Sequence, residues 1–445
     1  MMNPHVFREY DVRGVVDKDL NEEFIVNLGR AIGTYAQQNK VKTMTVGRDC
    51  RLSSDAYHRY LIQGLNAAGI DTIDIGLCAT PILYFSIRHC QAGGGVMITG
   101  SHNPPEFNGF KICIGYDSIH GQQIQELKKI MEAGNYFSGK GSTQLKGLTE
   151  VYQNYLFDRV QISKKLKVIL DAGNGVGGQF ALPLLERMGC DVTCLYCDPD
   201  GRFPNHFPDP TVEDNLKDLI NLVAQRKADL GIAFDGDADR IGVISNTGEI
   251  IWGDKLLLLF ARYILKEHPG ATIIGEVKCS QVLYDGIRRY SGRPIMWKAG
   301  HSLIKAKMKE EKALLGGEMS GHLFFADRYF GYDDAIYAAV RLLEILSQTN
   351  QKISELFSDV PQTFVTPEIR VDCDDDKKAA VVEKIKHHYR KTPGVIDIDG
   401  IRIPFKEGWA LVRCSNTQPV IVLRFEASSA ESLENIRSEV ENLLL

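Results

Sequence analysis

The chain has 445 residues, 44% of them hydrophobic and 24% charged, which is enough for two to four domains with buried cores. A net charge of −5 and a pI near 6.2 argue against nucleic acid or an anionic membrane as the main partner. Ten scattered cysteines without a disulfide framework, a polar start (Arg8, Glu9, Asp11, Arg13) and no apolar run longer than Leu256 to Ala261 predict a reduced, soluble, cytoplasmic protein.

In chain order, Phe24, Ile25, Leu28, Ile32 and Tyr35 recur at helical spacing, and Thr43 to Val46 reads as a strand. Ala56 to Ala68 reads as a helix, Thr72 to Ile75 as a strand and Pro81 to His89 as a helix. Val96-Met97-Ile98 reads as a buried strand of a parallel sheet. It runs into T-G-S-H-N-P-P-E-F-N-G-F-K, where Pro104 and Pro105 prevent a helix. Ser101 therefore sits on a stiff loop at the end of a buried strand, with His102 beside it and Lys111 ten residues on. Open α/β sheets bind ligands at such ends; a turn using Ser, His and Asn for its own hydrogen bonds is the other reading. Gly134 to Gly147, rich in Gly, Ser and Lys, is the first linker candidate.

The alternation restarts with a strand at Lys167 to Asp171 and again at Ala271 to Val277, giving three similar α/β units. G-N-G-V-G-G from Gly173 to Gly178 matches the dinucleotide fingerprint, with Asp198 twenty residues beyond the last Gly. A lone match in one of three units does not carry a nicotinamide or flavin site. Cys190, Cys194 and Cys197 are spaced like an iron–sulfur triad. Val192 to Tyr196 reads as a strand, in which residues three apart face opposite ways, so buried core cysteines are expected instead.

After the strand Leu230 to Ala233 comes F-D-G-D-A-D-R, in which Asp235, Asp237 and Asp239 alternate with small residues. Three carboxylates so placed can converge on one hard cation such as Mg²⁺, and Arg240 suits a phosphate. An EF-hand is excluded, because its twelfth position is Asn246. Lys298-Ala-Gly-His301-Ser302 lies between a strand and a helix, where His301 is either a proton-transfer group or a helix-start residue. In G-G-E-M-S-G-H, Glu318, Ser320 and His322 are spaced by two and, if extended, project to one side as a clasp for sugar hydroxyls; a polar hairpin is the alternative.

From about Pro367 the pattern changes to α+β: a strand at Glu368 to Cys373, a helix from Asp375 to Lys391, and strands at Val395 to Ile398, Ile401 to Ile403, Trp409 to Arg413 and Val420 to Glu426. A last helix runs from Ala430 to Leu444. The loop R-C-S-N-T-Q-P offers a guanidinium, two hydroxyls and an amide to a phosphate, or is a polar hairpin turn.

A serine nucleophile, a Mg²⁺ site, a phosphate clasp and a polyol clasp together fit phosphoryl transfer on a sugar. With Y-D-V-R-G at Tyr10 to Gly14, the Ser101, Asp235, Glu318 and Arg413 loops resemble, in order and spacing over essentially the whole chain, the α-D-phosphohexomutase family. The likeness is strongest to its bispecific phosphomannomutase/phosphoglucomutase group. The resemblance implies three similar α/β domains with mixed, largely parallel sheets (1–148, 149–246, 247–361) and a smaller C-terminal α+β domain (362–445) around a central cleft.

It further implies that Ser101 is the phosphoserine and that Asp235, Asp237 and Asp239, with Ser101, hold Mg²⁺. Arg240, Lys111 and Arg13 would surround the transferring group, and His301 and Lys111 would move protons. Tyr10, His102, Lys278, Glu318, Ser320 and His322 would bind the sugar phosphate, and Arg413, Ser415, Asn416 and Thr417 the phosphate that is not reacting. A hexose 1-phosphate and 6-phosphate would interconvert through a 1,6-bisphosphate, which is also the activator, in a monomer or homodimer. Ala238, where many relatives carry Gly, requires a permissive backbone angle, and Gln418, where Glu is common, removes a charge. Met319 favours mannose and glucose over glucosamine. A phosphoglucosamine mutase and a non-catalytic phosphosugar sensor are the alternatives.

Overall fold

The structure, a computed structural model, describes residues 3–374, 376–415 and 419–444. Its strands form four sheets, and three of them share one plan. In the first, Thr43–Arg48 is flanked in parallel by Asp71–Leu77 on one side and Gly94–Ile98 on the other, and Phe107–Ile114 returns antiparallel beside Gly94–Ile98. In the second, Lys167–Asp171 is flanked by Asp191–Leu195 and Leu230–Phe234, with Ile241–Ser245 returning. In the third, Thr272–Glu276 is flanked by Arg293–Trp297 and Leu315–Gly317, with Leu323–Phe325 returning.

The three similar α/β units expected from the sequence thus share one strand order. It carries a functional corollary. The Ser101, Asp235 and Glu318 loops occupy the same topological position, between the third parallel strand and the antiparallel return. The fourth sheet, Phe364–Val365, Ile369–Asp372, Ile401–Phe405, Gly408–Cys414 and Val420–Ala427, is antiparallel throughout.

The helices bury apolar faces on these sheets. Glu22–Gln38 starts at Asn21, whose side chain accepts from Phe24 N, and turns Ile25, Leu28 and Ile32 inward. One core lies on one face of the first sheet, around Leu28, Val46, Val96 and Phe110. The other face shares a continuous core with the second and third sheets, from Leu83 and Met97 through Leu170 and Phe180 to Leu257 and Leu343. Helix Ala335–Ser347 is buried along its whole length within it. At about 2 kcal/mol per buried large aliphatic side chain, this shared core fixes the three units as one body. The fourth unit docks on the third through Arg402, which donates to the carbonyls of Val277 and Cys279 (2.6 and 2.7 Å) and lies 3.6 Å over Trp409.

Four expectations need correction. The supposed linker 134–147 contains the strand Thr143–Leu145, parallel to Asp71–Leu77. Its glycines serve packing: a Cβ on Gly139 would lie 2.7 Å from Gly69 Cα. The second sheet runs past 246, because a turn at Gly248 (φ +87°) returns the chain as Ile250–Ile251. Val395 to Ile398 is no strand; one bridge, Ile396 to Arg402, is all that pairs there. The charged helix spans Lys378–Tyr389, and Asp375, its expected start, lies outside the described residues.

Two of the three neighbouring cysteines also differ from the buried core cysteines expected. The strand ends at Leu195 and Tyr196 adopts φ +51°, so Cys197 swings back and is disulfide-bonded to Cys194, both half-buried. Cys190 is free and buried, as expected.

Candidate active site

The strand Gly94–Ile98 is buried at every position and delivers the chain to Ser101, which is 3% exposed and has φ +49°. A left-handed serine costs about 1 kcal/mol and persists only where its surroundings over-determine it. Arg51 does so. Its guanidinium donates to the carbonyls of Ser101 (2.7 Å), Pro104 (2.7 Å), Phe107 (2.8 Å) and Asn103, and Asp49 stands 3.3 Å behind it. Ser101 N donates to Thr99 Oγ1 at 2.8 Å. The hydroxyl is thereby aimed at Asp235 Oδ2 (2.6 Å) and lies 3.1 Å from His102 Nδ1. Burial, then the Arg240 charge, holds His102 well below the ordinary imidazole range, so it meets Ser101 as a neutral ring.

Asp235, Asp237 and Asp239 are fully buried at the end of Leu230–Phe234, and one carboxylate oxygen from each falls within 4.8 Å of the others. Asp235 Oδ1 caps its own loop by accepting from the Asp239 and Arg240 amides, each at 3.0 Å. Thr80 Oγ1 and Lys111 Nζ donate to Asp237 Oδ2, and Lys111 also reaches Asp239 Oδ2. Asp237 Oδ1 and Asp239 Oδ1 are buried without a hydrogen-bond partner among the described residues. Two orphaned carboxylate oxygens beside a third carboxylate are what a hard divalent cation requires, so these residues fit one.

The electrostatics agree. Burial and the neighbouring Asp239 and Asp237 charges push Asp235 well above the usual carboxylate range. Burial opposes ionisation of Asp237, yet Lys111 outweighs it and keeps that group low. Lys111 itself is held charged, against its burial, by Asp237 and Asp239. Its placement therefore makes it a counter-charge to the acidic loop. Gly236 has no room for a side chain, since a Cβ would lie 2.4 Å from the Ser101 carbonyl; Ala238 is buried at φ +57° and bears the strain expected of its methyl.

The third unit closes the site. Glu318 to His322 is a tight hairpin turn and not an extended segment: Glu318 N donates to His322 O at 2.9 Å, and Gly321 N to Glu318 O at 3.1 Å. Its side chains consequently diverge. Glu318 Oε1 accepts from Gly300 N (2.6 Å), His322 Nε2 accepts from Arg240 Nε (2.9 Å), and Ser320 is half-buried between them in sequence. With Nε2 accepting, His322 carries its proton on Nδ1, 3.2 Å from Asp333 Oδ2. The same oxygen lies 3.3 Å from His301 Nδ1, and the two rings stack at 5.5 Å. Burial and Lys305 push His301 below the usual imidazole range in spite of Asp333, which leaves a neutral ring able to accept a proton.

Tyr10 joins the first unit to this corner: its hydroxyl donates to Ala299 O (2.9 Å) and its ring meets His301 edge-on at 5.9 Å. Arg13 donates to Asn103 Oδ1 at 3.0 Å and pairs with Asp11. In the fourth unit Arg413 Nε donates to Asp399 Oδ2 (3.0 Å), which also accepts from Ala299 N (3.0 Å), and Ser415 is buried beside it in sequence. Asn416 and Thr417, with Gln418, lie outside the described residues. Lys278 bridges Glu276 (3.5 Å) and Glu368 (3.3 Å).

Sequence reasoning missed Arg51, Thr80, Asp333, Asp399 and Glu276. Only Asp333-Asp334 had a local signal, as a helix start, and Asp334 indeed caps Tyr337 N. Glu276 is fully buried, accepts from Met319 N at 3.1 Å, and is pushed up to about 7 by burial, against Lys278 and with help from Glu318. Its neutral form therefore favours the folded state. That contribution is complete below the ordinary carboxyl value near 4.5 and is lost as pH rises through about 7. Between pH 5 and 8, Glu276→Gln is expected to lose about 2 kcal/mol less stability than the unaltered protein. Urea denaturation at both pH values measures this; equal losses would refute it.

Comparison with known proteins gives a consistent result. Models of the phosphoglucomutase/phosphomannomutase alpha/beta/alpha domains I, II and III match residues 4–136, 148–248 and 252–364, and that of the C-terminal domain matches 368–443. A phosphomannomutase/phosphoglucomutase of Pseudomonas aeruginosa is 48% identical over 440 residues, covering 99% of this chain and 95% of that protein. A phosphoglucomutase of Neisseria gonorrhoeae is 41% identical over 444 residues, covering 99% and 96%. The crystal structure of a phosphoglucomutase/phosphomannomutase family protein from Burkholderia thailandensis superposes with a TM-score of 0.94 at 39% identity, covering 100% of this chain and 98% of that one.

Proposed function

The chain belongs to the phosphoglucomutase/phosphomannomutase family, and from that premise we propose that it interconverts the 1- and 6-phosphates of mannose and of glucose through phosphorylated Ser101. The observation that carries the proposal is the Ser101 hydroxyl, fixed 2.6 Å from Asp235 in an acidic loop whose Asp237 Oδ1 and Asp239 Oδ1 are fit to hold a cation. The units we propose run 1–148, 149–251, 252–361 and 362–445, moving one expected limit to the end of the Ile250–Ile251 strand.

Phosphoserine donates its phosphoryl group to the free hydroxyl of a hexose 1-phosphate; the P–O bond to Ser101 breaks as the bond to the sugar oxygen forms, giving a 1,6-bisphosphate. The sugar proton passes to His301, neutral and oriented by Asp333. The bisphosphate turns end for end, and Ser101 Oγ takes the other phosphoryl group. Arg240, steadied by His322, and Arg13 face the charge of the loose transition state. Arg413, Ser415, Asn416 and Thr417 anchor the idle phosphate, and Tyr10, His102, Lys278, Glu318 and Ser320 position the sugar. A bound Mg²⁺ on Asp235, Asp237 and Asp239 supplies charge neutralisation to the phosphoryl group, and hexose 1,6-bisphosphate serves as activator by rephosphorylating Ser101.

The acidic loop gives the test. Chelation with EDTA is expected to abolish turnover at least a hundredfold, with Mg²⁺ restoring it, and Asp237→Asn is expected to raise the Mg²⁺ concentration needed for half-maximal activity more than tenfold. Full activity in EDTA would remove the metal from the account.

A further inference from the structure

Two motifs that this reaction leaves unused, Gly173 to Gly178 and Cys194-Leu-Tyr-Cys197, lie against each other directly behind the acidic loop. Asn174 N donates to Tyr196 O (2.8 Å), Asn174 Nδ2 to Asp198 O (2.9 Å), and Asp200 N returns a bond to Asn174 O (2.9 Å). A Cβ on Gly178 would stand 2.7 Å from Cys197 Cβ, so glycine there admits the cysteine turn. On its other side the glycine loop touches the metal loop: Val176 N donates to Gly236 O (3.1 Å), and a Cβ on Gly175 would lie 2.8 Å from Gly236 Cα. Gly236 in turn abuts the Ser101 carbonyl. Cysteine turn, glycine loop, acidic loop and nucleophile are thus four contiguous layers.

We propose that Cys194 and Cys197 are a reversible dithiol–disulfide pair whose closure stiffens the glycine loop and, through it, the backing of the acidic loop. The two residues are bonded here with Cα atoms 6.0 Å apart, inside the range a disulfide spans, and both are half-buried, within reach of a small oxidant. The left-handed Tyr196 between them is the residue whose carbonyl receives Asn174, and its hydroxyl is tied to Asp218 at 2.7 Å, so the bridge closes a turn already pinned at both sides. Buried Cys190, though near in sequence, is free.

Oxidation by a low-molecular-weight disulfide such as oxidised glutathione balances the step. One protein thiolate attacks the oxidant's sulfur and expels a small thiolate. The second protein thiolate then attacks the mixed disulfide and expels the other, so one S–S bond forms in the protein as one breaks in the oxidant, and two protons pass to the released thiols.

The test equilibrates the full chain in oxidised and in reduced glutathione, then counts alkylated thiols and follows amide hydrogen exchange by mass spectrometry. The proposal predicts a Cys194–Cys197 bridge with eight free thiols in the oxidised form, ten in the reduced, and exchange of residues 174–176 about tenfold faster on reduction. Cys194→Ser with Cys197→Ser should match the reduced protein in both buffers, and Cys190→Ser should respond like the unaltered chain. Ten alkylatable thiols under oxidising conditions, or identical exchange in the two forms, would overturn it; should the double variant fail to fold, the thiol count and exchange of the unaltered chain decide the matter. A weaker apparent Mg²⁺ affinity on reduction is the added expectation that rests on the function proposed above, so its failure alone would count against the metal assignment and not against the redox pair.

Discussion

Replacing Ser101 by alanine is expected to lower kcat by about 10⁴-fold or more while leaving the fold in place. The hydroxyl is the only atom lost. The loop that presents it is held by its backbone, through the Arg51 guanidinium on four carbonyls and the amide of Ser101 on Thr99. Asp235 Oδ2 loses a 2.6 Å donor but keeps its second oxygen on the Asp239 and Arg240 amides, so the acidic loop retains its shape. Steady-state turnover, with a melting temperature for each protein, makes the measurement. Activity within tenfold of the unaltered enzyme at an unchanged melting temperature would mean that another group carries the phosphoryl.

Arg51→Met should be nearly as damaging, by a different route. Arg51 touches no reacting atom; it is a positioning residue. Removing its guanidinium strips a donor from the carbonyls of Ser101, Asn103, Pro104 and Phe107 and leaves buried Asp49 without its 3.3 Å partner. Loss of one member of a buried ion pair costs about 3–5 kcal/mol. The left-handed Ser101 is then free to relax, and a displacement of about 1 Å at a reacting group costs about 10²-fold in rate. Because the proposed phosphate anchor and all of the proposed sugar contacts except Tyr10 and His102 lie on the third and fourth units, KM should change less than kcat. A variant with normal stability, or one whose loss falls on KM alone, would contradict this role.

These two residues mark how far the sequence could be read. Ser101 and Asp235 each follow an apolar strand, and a local pattern of buried strand followed by polar turn suffices to place them at the ligand-binding edge of a sheet. Arg51 acts on residues 50 to 56 positions away, Thr80 on Asp237, and Asp333 on two histidines, one at the start of the helix His301–Glu311 and one at the end of a hairpin turn; no local pattern encodes such contacts. Three α/β units were legible in the sequence, but the equivalence of their loops was hidden for a related reason. The three units keep the order of apolar strands and not the residues in them, so the equivalence of the Ser101, Asp235 and Glu318 loops emerges only from strand pairing.

Single backbone angles account for other differences. Tyr196 turning left-handed brings Cys197 back to Cys194, and the Glu318 hairpin sends Glu318 and His322 to separate partners where an extended chain would have aligned them. In 134–147 a composition suited to a flexible linker instead provides small residues for close backbone packing beside an edge strand.

The central claim is that one phosphorylated serine serves both ends of a hexose. ³¹P NMR of the purified protein with Mg²⁺ and catalytic hexose 1,6-bisphosphate, supplied separately with mannose 1-phosphate, glucose 1-phosphate and glucosamine 1-phosphate, tests it most directly. The account predicts growth of the 6-phosphate signal from mannose and glucose alike, and none with Ser101→Ala. Turnover of glucosamine 1-phosphate alone would contradict the assigned substrates, and silence on all three from a Ser101-phosphorylated, Mg²⁺-loaded protein would contradict catalysis itself.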